Sequence, residues 1–235
     1  RDVLGSRGLG DVYKRQVCTG GERYGSKVRR FFDFTNPQVR SYLSAKVEKL
    51  LRAGIRFIKN DYNDSYYAFG EEGAYNLQQN QRAFYDFVEE LYGGYPDLII
   101  ENCASGAMRS DGGAMRHFAM QSFSDQDDYR LYPSIVKGSL RNILPEQLGI
   151  WCMPHPVHCS GRDLNSRTRP QDLIAYNFVS ALAGVPYLSG RLDLCSEEEL
   201  DLIAQGVALA KQLYGFVRRS YPQFPPVSYT HLRAH

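Results

Sequence analysis

Two hydrophobic rhythms alternate along this chain. Residues 30–34 (RFFDF) predict a strand, after which Thr35-Asn36-Pro37 supplies an N-cap and a proline at the first helical position. Val39, Leu43, Val47, Leu50 and Leu51 then recur at helical spacing until Gly54 stops the run. The next apolar run, Ile55 to Ile58, lies between Gly54 and a polar cluster and predicts a buried parallel strand ending in Lys59, Asp61 and Asn63. Alternate residues of a strand share a face, so these three polar groups converge at its C-terminal mouth. A helix follows over about residues 76–92, with Leu77, Phe84, Phe87, Val88 and Leu91 inward and Gly93-Gly94 as its stop. Residues 98–101 predict a strand, followed by a turn at Asn102–Gly106 and an irregular segment to Arg116. Strands are expected at 118–123, 149–153 and 186–188, and helices from Pro133 to about Asn142 and over 170–183. Ser196-Glu197-Glu198-Glu199 reads as a capping box opening the last helix, whose stripe is Leu200, Ile203, Val207 and Leu213.

Strand and helix thus alternate six times, the signature of parallel βα units in an α/β protein. Six units do not close an eight-stranded barrel. The pattern fits an open doubly wound sheet or a (β/α)8 TIM barrel without its first two units. No GxGxxG follows the first strand, and Gly25-Ser26-Lys27 lacks the Walker A spacing, so nucleotide-binding sheets lose support. Residues 1–16 show no period that continues, Asp11–Gln16 and Val227–His235 resemble translated adapter sequence, and 1–16 and 227–235 are set aside as non-native tails, leaving 17–226 as the barrel portion.

Composition narrows the partners. The 235 residues are 43% hydrophobic, enough for one substantial core, and 28 basic against 26 acidic residues give a net charge of +2. That balance offers no argument for nucleic acid or an anionic membrane. Small neutral ligands fit better, and the 17 tyrosines suit sugar-like ones. Five dispersed cysteines argue against a disulfide framework and are compatible with a reducing compartment, which favours the cytoplasm. No run approaches the roughly 18 apolar residues of a membrane span. Cys152, His155, His158 and Cys159 are spaced closely enough to ligate zinc, but two intervening prolines and the lack of a second cluster weigh against it. No metal or other cofactor is expected.

Two carboxylates stand at strand mouths about two βα units apart, Asp61 and Asp125. Glycoside hydrolysis needs such a pair: one acts on the anomeric carbon while the other protonates the leaving oxygen. Retention requires about 5–5.5 Å between them, inversion about 6.5–9.5 Å.

The surrounding residues carry a resemblance. Lys59-Asn60-Asp61-Tyr62-Asn63 is similar to the nucleophile motif Lys-Trp-Asp-x-Asn of the glycoside hydrolase family 36 α-galactosidases. Cys103, Gly106, Arg109 and Asp111 fall in step with the family's Cys-Ser-x-Gly-Gly-Gly-Arg-Phe-Asp segment, and Ser124–Asp128 with its Ser-Asp-Asn-Thr-Asp. Pro156-Val157-His158-Cys159-Ser160-Gly161-Arg162 resembles Pro-Asn-His-Gln-Thr-Gly-Arg.

The resemblance implies a (β/α)8 barrel and retaining hydrolysis of terminal α-galactosyl groups. Asp61 would be the nucleophile and Asp125 the acid/base, expected to be buried, with Lys59, Cys103, Gly106 and Arg109 binding the sugar. A structural pair between Arg109 and Asp111 is an alternative. The implied partner is an oligosaccharide or galactoside; a homo-oligomer of a full-length parent is compatible. Departures fall on the pocket wall: Asn60 replaces Trp, Ser122 an aromatic, and Ala107-Met108 two glycines. Galactosyl transfer between sugars and a catalytically silent carbohydrate-binding fragment are the rival readings.

Overall fold

Asn36 opens the first long helix. In the computed structural model of the protein, which describes residues 23–24, 27–28, 32–61, 73–126, 128–155 and 170–224, its side chain accepts from the Gln38 N–H and Pro37 fills the first turn of α1 (Pro37–Arg52). The helix ends as the glycine predicts. Gly54 adopts φ +93°, its N–H donates to the Leu51 carbonyl (3.0 Å), and the Ile55 N–H donates to Leu50 (3.2 Å). These are the paired bonds of a Schellman stop.

A two-residue hairpin, β1 (Arg23–Tyr24) with β2 (Lys27–Val28), stands apart from the main sheet. The main elements then follow as β3 (Phe57–Asp61), α2 (Gly73–Gly94), β4 (Ile99–Cys103), α3 (Gly112–His117) and β5 (Met120–Ser122). After them come α4 (Tyr132–Ser139), β6 (Leu148–His155), α5 (Pro170–Ala181), β7 (Val185–Gly190) and α6 (Glu197–Val217). The sheet order is β3-β4-β5-β6-β7, and β4 through β7 pair in parallel. Neighbours in sequence are neighbours in the sheet, as consecutive βα units require.

Three expectations shift. The described part of the predicted 30–34 strand is not a strand, leaving five strands of the main sheet among the described residues rather than six. The Phe34 N–H donates to Asn80 Oδ1 (2.6 Å) and Asn80 Nδ2 donates to the Phe32 carbonyl (3.1 Å). A side-chain amide has taken the backbone partners that a neighbouring strand would have supplied. Next, β3 is not buried on both faces: Phe57, Lys59 and Asp61 are exposed while Ile58 and Asn60 are half-buried, as on a strand at the end of the sheet order. Finally, the irregular segment before Arg116 contains α3, capped by Asp111, whose Oδ1 accepts from the Ala114 N–H (2.9 Å). The predicted tails and the 156–162 motif lie outside the described residues.

The chain divides into two compact units. The first comprises residues up to Ile100 with Arg116–Phe118; the second comprises Glu101–Met115 and residues from Ala119 onward. In the first, Val39, Leu43 and Leu51 of α1 and Ala83, Phe87, Val88 and Leu91 of α2 are buried. Phe34 packs its ring on Phe84 and Phe87 at 4.8 and 5.5 Å, which turns the chain into α1. In the second, Leu148, Ile150 and Cys152 alternate along β6 and are fully buried in one core with Ile174, Phe178, Ala181 and Ile203. Burying each such aliphatic chain contributes about 1.5–3 kcal/mol before side-chain entropy is counted. The capping box forms: the Glu199 N–H donates to Ser196 Oγ (3.3 Å) and the Ser196 N–H to Glu199 Oε2 (2.6 Å).

Candidate active site

The first unit offers Lys59 and Asp61 on one face of β3. Arg56 fixes the entry to this strand, its Nε donating to Asp97 Oδ2 (2.7 Å) and its Nη1 to the Leu51 and Ile55 carbonyls (2.6 and 2.9 Å). The strand carries Asp61 as its last residue, at the C-terminal end where ligands of parallel α/β folds bind. Its carboxylate is exposed and takes no hydrogen bond or ion pair among the described residues.

The second unit builds its mouth on buried polar groups. Glu101, Asn102 and Cys103 at the end of β4 are each at most 3% exposed. Beyond them the chain turns sharply: the Ala104 N–H donates to the Gly106 carbonyl (3.0 Å) and the Met108 N–H to Ala104 (3.2 Å), with Ser105 at φ +43° and Gly106 at φ +75°. Gly106 lies against the backbone that follows β5. A Cβ there would come within 2.6 Å of Ser124 Cα and 2.7 Å of Asp125 N, so only glycine fits both the conformation and the space.

Asn102 and Gln121 face each other across the β4–β5 register. Asn102 Nδ2 donates to Gln121 Oε1 (2.7 Å) and to the Arg109 carbonyl (2.9 Å). Gln121 Nε2 donates to the Ser122 carbonyl (2.8 Å) and, at 3.4 Å, to the Gly106 carbonyl.

Asp125 follows β5 by three residues and is exposed, not buried as the resemblance implied. Its carboxylate has no hydrogen bond or ion pair among the described residues. Asp128, in the same acidic cluster, is spent on structure. It caps the turn at Tyr129–Leu131 through Arg130 N (3.1 Å) and accepts Arg130 Nε and Nη2, both at 2.7 Å. Asp111 likewise caps α3.

Of the closely spaced Cys152, His155, His158 and Cys159, the last two lie outside the described residues. Cys152 points into the core, and burial pushes its thiol up to about 12. Among the described residues no group of three His, Cys, Asp or Glu side chains could hold a metal ion. Burial, and then the nearby Glu101 carboxylate with which it shares a hydrogen bond, raises the Tyr187 hydroxyl and keeps it a neutral donor.

Cys103, Gly106 and Arg109 therefore belong to one strand end and loop of the second unit, with Gly106 against the backbone of Asp125, while Lys59 and Asp61 share one strand of the first. Asn102 and Gln121 were missed by motif reading. Their signal was present as polar residues continuing otherwise apolar strands, after Leu98-Ile99-Ile100 and between Met120 and Phe123.

Comparison with known proteins gives these loops a family. The Melibiase family model matches residues 17–217. The chain belongs to the Melibiase family. Among curated relatives, this Melibiase chain is 28% identical over 189 residues to the bifunctional alpha-galactosidase/sucrose kinase AgaSK of Mediterraneibacter gnavus, covering 80% of the chain and 19% of that protein. It is 25% identical over 134 residues to the probable alpha-galactosidase C of Aspergillus flavus, covering 57% of the chain and 18% of that protein. The chain thus spans about a fifth of the length of the curated relatives it matches.

Among solved structures, the GH36 alpha-galactosidase AgaA of Geobacillus stearothermophilus superposes with a TM-score of 0.72 at 18% identity, over 92% of this chain and 31% of that one. The Melibiase sheet is accordingly part of a TIM barrel, the second of the two folds that the alternating pattern allowed. No described helix is long and apolar enough to cross a membrane.

Proposed function

We propose that this Melibiase chain carries the two catalytic carboxylates of a retaining α-galactosidase acting on oligosaccharides. The observation that carries the reading is how the acids near the strand mouths are used. Asp111 and Asp128 are occupied by a helix cap or an arginine, whereas Asp61 and Asp125 are exposed and take no partner among the described residues. Each lies at or just beyond the C-terminal end of a barrel strand, the end that carries the chemistry in this fold.

Asp61 attacks the anomeric carbon as Asp125 gives its proton to the leaving oxygen. Asp125 then removes a proton from water, which hydrolyses the glycosyl ester on Asp61 and restores the original configuration. Lys59, Cys103, Gly106 and Arg109 bind the galactosyl group. AgaA variants have been solved in complex with raffinose and with stachyose, which supports an oligosaccharide as the substrate class.

Because the chain spans about a fifth of its curated relatives, the test uses the whole gene product containing it. Proton NMR of the sugar first released from an aryl α-galactoside gives the α-anomer on this account. The β-anomer as first product overturns it.

A further inference from the structure

Beneath the Cys103–Asp111 loop lie two side chains that no motif assigns a role, Asn102 and Gln121. Both belong to strands, both are buried to 3% exposure or less, and neither is an ion. All four of their amide hydrogens are used. Two go from Asn102 to Gln121 and to the Arg109 carbonyl, and two from Gln121 to the Ser122 and Gly106 carbonyls. The pair therefore holds the loop at two points, Gly106 and Arg109, and fastens it to the strand that leads into Asp125. Gly106 completes the contact by lying directly on the backbone of Ser124 and Asp125.

A less directed solution to burying this turn would be an apolar pair with the loop carbonyls left to water. Placing two amides in a buried position is tolerated only if each is satisfied, and a satisfied network specifies one arrangement. The groups it fixes are backbone carbonyls, so the arrangement does not depend on the state of a titrating partner.

We infer that the Asn102–Gln121 amide pair is a positioning device for Asp125: it sets where the loop backbone lies and, through Gly106, where the acid/base residue stands relative to the leaving group. This rests on the assignment of Asp125 under the proposed function, and the test separates the two. Proton donation matters when the leaving group is a poor one and matters little when it departs readily, so a displaced acid reveals itself as a dependence on leaving group.

The whole gene product is assayed with an alkyl or oligosaccharide α-galactoside and with a dinitrophenyl α-galactoside. Asp125→Ala should lower kcat/KM for the unactivated substrate by about 10²–10⁴-fold and spare the activated one. Gln121→Leu should show the same pattern at about 10–100-fold, with kcat/KM for the activated substrate within about threefold of the parent and KM for the unactivated one little changed. Should Gln121→Leu lose its folded circular dichroism, Gln121→Glu carries the same prediction. It keeps the size and the acceptor for Asn102 and leaves at most one donor, in its protonated form, where the amide has two. Equal losses on both substrates, or no loss on either, in a folded variant overturn the positioning role while leaving Asp125 in place. An Asp125→Ala variant without leaving-group dependence overturns the acid assignment, and the positioning role with it.

Discussion

The mouths of β3 and β5 both present an exposed aspartate, yet different structures stand behind the two carboxylates. Asp61 ends a strand at the edge of the described sheet, on an alternating face whose other members, Phe57 and Lys59, are also exposed. Asp125 follows a strand buried throughout, and the loop beside it is fastened from below by Asn102 and Gln121. Two glycines make the same contrast. Gly54 and Gly106 both have positive φ, but a Cβ on Gly54 would meet nothing within 4 Å, while one on Gly106 would strike the backbone of Ser124 and Asp125. The comparison teaches that a motif supplies a functional group, whereas the buried polar and small residues beneath it decide how firmly that group is seated.

The sharpest way to break the comparison is within the acidic cluster itself. Asp125→Asn should reduce turnover of unactivated galactosides by about 10²–10⁴-fold. Asp128→Asn, which weakens a helix-turn cap and an Arg130 pair, should cost less than about tenfold and act mainly through stability. Similar kinetic losses from the two variants would erase the distinction between a free and an occupied carboxylate.

The glycines come next. Gly106→Ala should destabilise by more than about 2 kcal/mol, since the backbone clash adds to the roughly 1–2 kcal/mol of a left-handed alanine. Gly54→Ala should cost only that conformational term. Urea unfolding midpoints compare them, and equal costs would mean that the Gly106 contact contributes nothing. In the first unit, Asn80→Ala leaves the Phe34 N–H and Phe32 carbonyl without their amide partner and should cost about 2 kcal/mol by the same measurement. The smallest effect is expected at Ser196→Ala, about 1 kcal/mol for the lost helix cap. A cost there as large as at Gly106 would show that helix ends, not the loop contact, dominate the second unit.

Much of the scaffold was legible because its signals are local. Asn36-Pro37, Gly54 and Ser196–Glu199 start or stop helices through contacts a few residues away, so reading them required no knowledge of the tertiary structure. The places of Asp61 and Asp125 at strand ends were legible for a related reason, each following a short strand-forming run. What sequence reading missed depends on distant partners. The strand expected at 30–34 gives way, in its described part, to a turn whose backbone is satisfied by Asn80, nearly fifty residues later. α3 has no apolar stripe to announce it, and its cap, Asp111, sits inside a motif that draws attention to catalysis. Gln121 resembles an ordinary polar strand position until its register with Asn102 is known.

The central claim is that Asp61 forms the covalent intermediate. Incubating the whole gene product with a 2-deoxy-2-fluoro galactosyl donor bearing a good leaving group, then sequencing the labelled peptide by mass spectrometry, reads that residue directly. The account predicts one fluorogalactosyl group on Asp61, absent in Asp61→Ala. A stoichiometric label on any other residue, or on Asp61→Ala itself, contradicts it.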